Sequence, residues 1–403
     1  MNFMKINKLF FLIIFVIIIT TNLVQAEEID NIMKTQEDSL GITDFIQESN
    51  SYTSNVFNDM DLNEIFNSAI SGSVDNKKIV KNVCKIFGQE IQNAISIFAS
   101  ILVIVVINSI LNCITEGLEN KSVSKIAFYV QYILIVTIIL TNFSSIIQSI
   151  KESVNNMNSF TNMLVPIMMT LIITTGSVTT ASIIQPIIVF MITMIGNFIN
   201  NIAIPLILVS TALGIVSKIS DKIQVGRLAK QIKSSTIWII GIILTIFVTV
   251  VSVNGNLSSS VDAVTAKTAK AAVSNLIPVV GKILGDAVDS VIGCSNILKN
   301  AIGIIGVVVV IAISIMPIVK LLLLMGIYYL GAAICEPIAD TKIVQLLDQM
   351  GDTFKVLLAL VCSMSVMIII GTTLIIKISN AGGIHWVIWW NGLALGQKVL
   401  WLQ

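Results

Sequence analysis

Apolar residues run along this chain in long stretches broken by short polar ones, which predicts membrane-crossing helices rather than a soluble core. Candidate spans are Ile91–Ile114, Ile126–Ile147, Ile183–Ile199, Ile202–Val216, Ile237–Val253, Ala301–Val319, Leu321–Ile334 and Val356–Ile376. Phe160–Thr175 is also apolar, but it is short and interrupted by Pro166, so it either crosses or enters and leaves on one side. A hydrocarbon core takes about 20 helical residues, so the pattern predicts an all-α polytopic membrane protein of roughly seven to nine membrane segments, re-entrant or interfacial helices included.

One stretch fits neither a span nor a solvated loop. Between Gly255 and Asn300, charged residues sit among Val, Ile, Leu and Ala. From Val273 to Ile292 the apolar positions Leu276, Ile277, Val280, Ile283, Leu284, Ala287, Val288 and Val291 recur at helical steps, with Lys282, Asp286 and Asp289 opposite. Upstream, Val261–Val273 with Lys267 and Lys270 makes a second, basic amphipathic helix. Charges at membrane depth are costly and face a protein interior or water. Lys267, Lys270, Lys282, Asp286 and Asp289 are therefore the candidate residues for a polar path or a partner contact. The plainer alternative is a pair of interfacial helices with their charges in water.

The prolines suggest an internal duplication. Pro166 and Pro278, like Pro205 and Pro317, are 112 residues apart, and Gly214 and Gly326 share that offset. The units would be 121–217 and 233–329. Repeats with broken apolar segments point to transport architecture, and chance is the competing account.

Composition agrees with a membrane body: 55% of residues are hydrophobic and 12% charged, about half the charge of an ordinary soluble domain. Net charge is +1, so there is no nucleic-acid footprint. Lys218, Lys222, Arg227, Lys230 and Lys233 cluster between two spans against Asp221, the strongest cytoplasmic signal in the chain.

Residues 1–26 read as a secretory signal peptide, with Lys5 and Lys8, an apolar Leu9–Ile19 and a Val24-Gln25-Ala26 cleavage site. An uncleaved first span is the alternative. Residues 27–85 form an acidic exported arm: from Glu27 to Asn76 Lys34 is the one basic residue. Such an excess of like charge predicts a mobile, solvated segment, with stretches such as Met60–Phe66 able to form helices that dock on a partner. The membrane domain is then 86–380.

No site chemistry is legible. The five cysteines form no CxxC, and His385 stands without a second ligand. No P-loop, nucleophile elbow or HExxH occurs, so neither enzymatic activity nor a cofactor is expected. The carboxylates Glu336, Asp340, Asp348 and Asp352 have no nucleophile or metal ligand set beside them.

Several of these residues also resemble a known family. Val261-Asp262, Ala266-Lys267-Thr268-Ala269-Lys270, Ile277-Pro278-Val279-Val280-Gly281, Asp286-Ala287-Val288-Asp289, Cys294-Ser295, Lys299-Asn300-Ala301 and Glu336-Pro337-Ile338-Ala339-Asp340 resemble the stage III sporulation protein AE family of endospore-forming bacteria. The resemblance covers about 80–380. It implies a subunit of a secretion-like channel complex linking mother cell and forespore, needed for forespore development after engulfment. It implies as partners a separate ATPase and ring-forming proteins between the membranes, and a place in the mother-cell membrane. The family supplies no catalytic residue. The competing function is an autonomous secondary transporter for a small solute. The tail 381–403 departs from the family: it holds Trp386, Trp389, Trp390 and Trp401, and reads either as an interfacial anchor or as a frame error.

Overall fold

An apolar helix in lipid satisfies its own backbone, so what remains to be decided is which stripe each helix turns toward its neighbours. A computed structural model describes residues 31–54, 56, 61–72, 76–116, 121–219, 225–276 and 280–379, with side chains left aside at 76–80, 111–116, 121–125, 255–276, 280–287, 378–379 and a few single positions. The signal segment 1–26, Pro278 and the tail 381–403 lie outside the described residues.

The order is α1 (31–39), α2 (Ile42–Thr53), α3 (Leu62–Ile70), α4 (Asn76–Glu116), α5 (Lys121–Thr174), α6 (Val178–Phe198), a π-helical turn (Ile199–Ala203), α7 (Ile204–Ile219), α8 (Gly226–Leu276), α9 (Val280–Cys335) and α10 (Thr341–Ser379). No strand occurs among the described residues.

Six stretches are long and apolar enough to cross a membrane: Cys84–Ile107, Phe128–Thr174, Val178–Ile219, Gly226–Asn254, Val288–Cys335 and Thr341–Lys377. The chain is an all-α polytopic membrane protein. Predicted spans fuse where a proline interrupts the pattern without ending the helix. Pro205 has no N–H for the preceding turn, and the wide π turn at Ile199–Ala203 takes up that break. Pro317 lies inside α9, so Ala301–Val319 and Leu321–Ile334 belong to one helix. Pro166 likewise lies inside α5. The reversal after α5 is instead a Schellman turn. Gly176 adopts φ 86°, Ser177 N donates to Ile172 O at 3.2 Å, and Gly176 N donates to Ile173 O at 2.9 Å.

α9 and α10 form the centre. Ala301, Ile302, Ile305, Val309 and Val310 of α9 are fully buried, as are Leu357, Leu360, Val361, Met364 and Ile368 of α10. Small residues let backbones approach. A Cβ at Gly306 would lie 2.8 Å from Leu164 Cδ2 of α5, and one at Gly303 would strike Ile376 of α10.

The arm differs from the mobile segment expected from its charge. Met33, Ile42, Phe45, Ile46, Leu62, Ile65 and Phe66 are buried in the same core as the spans. α2 and α3 pack on α9, and α2 also on α5. The acidic residues lie on the opposite, solvated faces: Asp44, Glu48, Asp61 and Glu64 are exposed. Charge patterning predicted disorder, but the apolar stripe at helical spacing wins because the arm has a surface of its own chain to cover. Helix α3 starts within Met60–Phe66 and packs on α9 of the same chain, and Asp61 caps it by accepting from Asn63 N at 2.9 Å.

Candidate functional site

The five residues singled out from the pattern fall on the two helices flanking 277–279. Lys267 and Lys270 lie on helical backbone of α8 beyond its apolar run, and Lys282 and Asp286 on the opening turns of α9; their side chains fall outside those described. Asp289 follows on α9 and is exposed. Immediately after it the arm makes contact: Gln36 Nε2 donates to Val291 O at 3.4 Å. Ser295 Oγ donates to Gln36 Oε1 at 3.3 Å, and Thr174 Oγ1 at the end of α5 donates to Ser295 Oγ at 2.8 Å. Aromatic contacts hold the arm further along α5, with Phe45 and Tyr52 each 6.0 Å from the Phe160 ring. Burial, and after it the Glu48 carboxylate, raises the Tyr52 phenol above its ordinary pKa.

The opposite end of the bundle carries the basic residues on either side of 220–224. Lys218 Nζ donates to Gln345 Oε1 at 2.7 Å, and Lys342 lies 5.8 Å over the Phe128 ring. Just inside that end is a polar knot among α7, α8, α9 and α10. Lys233 Nζ donates to Thr353 Oγ1 at 2.6 Å and to Gln349 O at 3.2 Å. Gln349 Nε2 donates to Thr211 O at 3.3 Å, the Thr211 and Thr353 hydroxyls are 3.3 Å apart, and Tyr329 OH donates to Asp352 Oδ1 at 2.7 Å. Sequence reasoning used Lys233 for orientation and as the start of a repeat unit, not as a buried group. Its position at the border of an apolar run was the signal that it could turn inward.

A further polar surface was missed because it reads as a gap between two spans. The middle of α5 buries Phe143, Ile146, Ile150, Val154, Met157 and Phe160 and exposes Thr141, Ser145, Gln148, Glu152, Asn155, Ser159 and Asn162. Asn200 Nδ2, in the π turn, donates to Asn155 Oδ1 at 2.7 Å. A Cβ at Gly196 would collide with the Asn158 amide, so glycine lets α6 close on α5 there.

None of these clusters assembles a nucleophile with a base, and no group of three or more His, Cys, Asp or Glu able to hold a metal occurs among the described residues. The arrangement holds polar groups between helices. It suits packing, hydration and association.

The family model for stage III sporulation protein AE matches residues 60–379. The chain belongs to this family. The stage III sporulation protein AE of Bacillus subtilis (strain 168) is 32% identical over 284 residues, covering 70% of this chain and 71% of its own length. No solved structure matches. The stage III sporulation protein AE match thus takes in α3, the six apolar stretches and both ends of the bundle.

Proposed function

We propose that this chain is a non-enzymatic, membrane-embedded subunit of a secretion-like channel complex joining mother cell and forespore, needed for forespore development after engulfment. Membership of the stage III sporulation protein AE family carries the reading. The helical body supports it by holding a charged knot and a polar helix face at or beside its apolar runs, where a bare anchor would have neither. Its partners are a separate ATPase, which supplies the energy, and ring-forming proteins between the membranes.

The chain sits in the mother-cell membrane with its arm exported. Lys218, Arg227 and Lys230 lie at the end away from the arm, and basic residues stay cytoplasmic. Lys267, Lys270, Lys282, Asp286 and Asp289 would then lie on the exported side, available to the intermembrane partners. Units 121–217 and 233–329 remain proposed as a duplication.

Affinity purification of the tagged full chain from sporulating cells tests the reading. The ATPase and the ring proteins are expected to co-purify, and forespore development is expected to fail on deletion. Solute uptake by the chain alone in liposomes, with no partner recovered from cells, would establish the autonomous transporter instead.

A further inference from the structure

The exposed positions of α5 follow a strict rhythm. Thr141, Ser145, Gln148, Glu152, Asn155, Ser159, Asn162 and Pro166 succeed one another at steps of four and three, and all are exposed. That is the spacing of a helix–helix seam.

Contacts with its neighbours give the depth of this face. Phe143 meets Phe354 of α10 edge-on with ring centroids 5.9 Å apart, and Ser365 of α10 lies 3.7 Å from Met157 Sδ. The uncharged run 356–376 of α10 therefore passes alongside the polar middle of α5. Gly371 of that run packs against Phe247, in the apolar run of α8, and Leu164 of α5 packs against Gly306 in that of α9. Three other helices thus place their membrane-crossing runs at the level where α5 turns polar side chains outward.

The outward face of α8 at this level is of the opposite kind: Ile239, Ile242 and Ile246 are exposed and apolar. Lipid suits α8. It does not suit a carboxylate and several amides, which at this depth need water or protein.

We propose that the α5 face is where a second copy of this chain docks within the membrane, leaving a hydrated seam between the two. Serine, threonine, asparagine and glutamine each donate and accept, so the stripe is complementary to itself and needs no second kind of surface. Small and amide side chains are also what membrane helices use to bind one another. Glu152 makes the seam wet, because two copies bring two carboxylates together and a dry contact would bury both unpaired. The proposal requires only that the helices span the membrane, so it stands or falls separately from the channel complex.

Single cysteines at Gln148, Ser159 and Asn162, in the full chain with its five native cysteines replaced by serine, provide the test. Cysteines at Ile239, Ile242 and Ile246 serve as lipid-facing controls. In native membranes the α5 positions are expected to react with a charged, water-soluble thiol reagent several-fold faster than the controls. Oxidation is expected to give a disulfide-linked pair of this chain at the α5 positions and none at the α8 positions. Labelling equal to the controls with no pair overturns the proposal. A covalent adduct to a different protein, with no pair of this chain, also overturns it. Wild-type forespore development in each variant shows that the fold is intact.

Discussion

Lys233 of α8 and Thr353 of α10 meet as a hydrogen bond of 2.6 Å between ammonium and hydroxyl, both residues being buried. The bond ties the end of one span that carries the basic residues to the same end of another. Its two halves are unequal, because one is a charge and the other is not.

Thr353→Val is therefore expected to destabilise more than Lys233→Met. Valine leaves the ammonium with the longer hydrogen bond to the Gln349 carbonyl at 3.2 Å, a loss of about 1.5–3 kcal/mol for a hydrogen bond to a charged group. Methionine removes the charge, and Thr353 can still donate to Gln349 O. Thermal unfolding of the purified chain in detergent measures the order, and the reverse order would mean that the lysine does not reside in the knot.

Phe45 is expected to hold the arm. Phe45→Ala removes its ring from Phe160 and costs about 3 kcal/mol of docking, the low end for a buried phenylalanine. Limited proteolysis of membranes should cut within 31–72 faster in the variant, with the spans still protected. Equal cutting rates would show that the arm is not docked there.

Two glycines on α8 and α9 predict opposite signs. Gly306→Ala places a methyl against Leu164 and should cost about 1–3 kcal/mol of stability through overpacking, read as a lower unfolding temperature. A Cβ at Gly241 meets nothing within 4 Å, so Gly241→Ala should be neutral or slightly stabilising through helix propensity.

Asp286→Asn combined with Asp289→Asn tests the charged stretch. If these carboxylates contact the exported partners, sporulation falls sharply while the amount of chain in the membrane stays normal. Unchanged sporulation assigns them to solvated interfacial helices.

The apolar runs made the class and most of the helices legible, and the residues from Val261 to Asp340 made the family legible. The arm was misread as mobile because eleven acids against Lys34 outweighed Ile42, Phe45, Ile46, Leu62, Ile65 and Phe66. Those positions form an apolar stripe, but a stripe does not say what it covers. The α5 surface was missed for a related reason. Ser145 to Asn162 looks like a polar break between two spans unless the heights of its neighbours are known.

Sequence alone determined that this is a helical membrane chain and on which face of each helix its charges fall, because hydropathy and helical period are properties of neighbouring residues. Only the tertiary structure decided that Lys233 turns inward to Thr353, that the acidic arm folds back on α5 and α9, and that a polar helix face lies level with the apolar runs of α8, α9 and α10. Each of these depends on which helices lie side by side and at what height, and contacts between residues far apart in the chain set both.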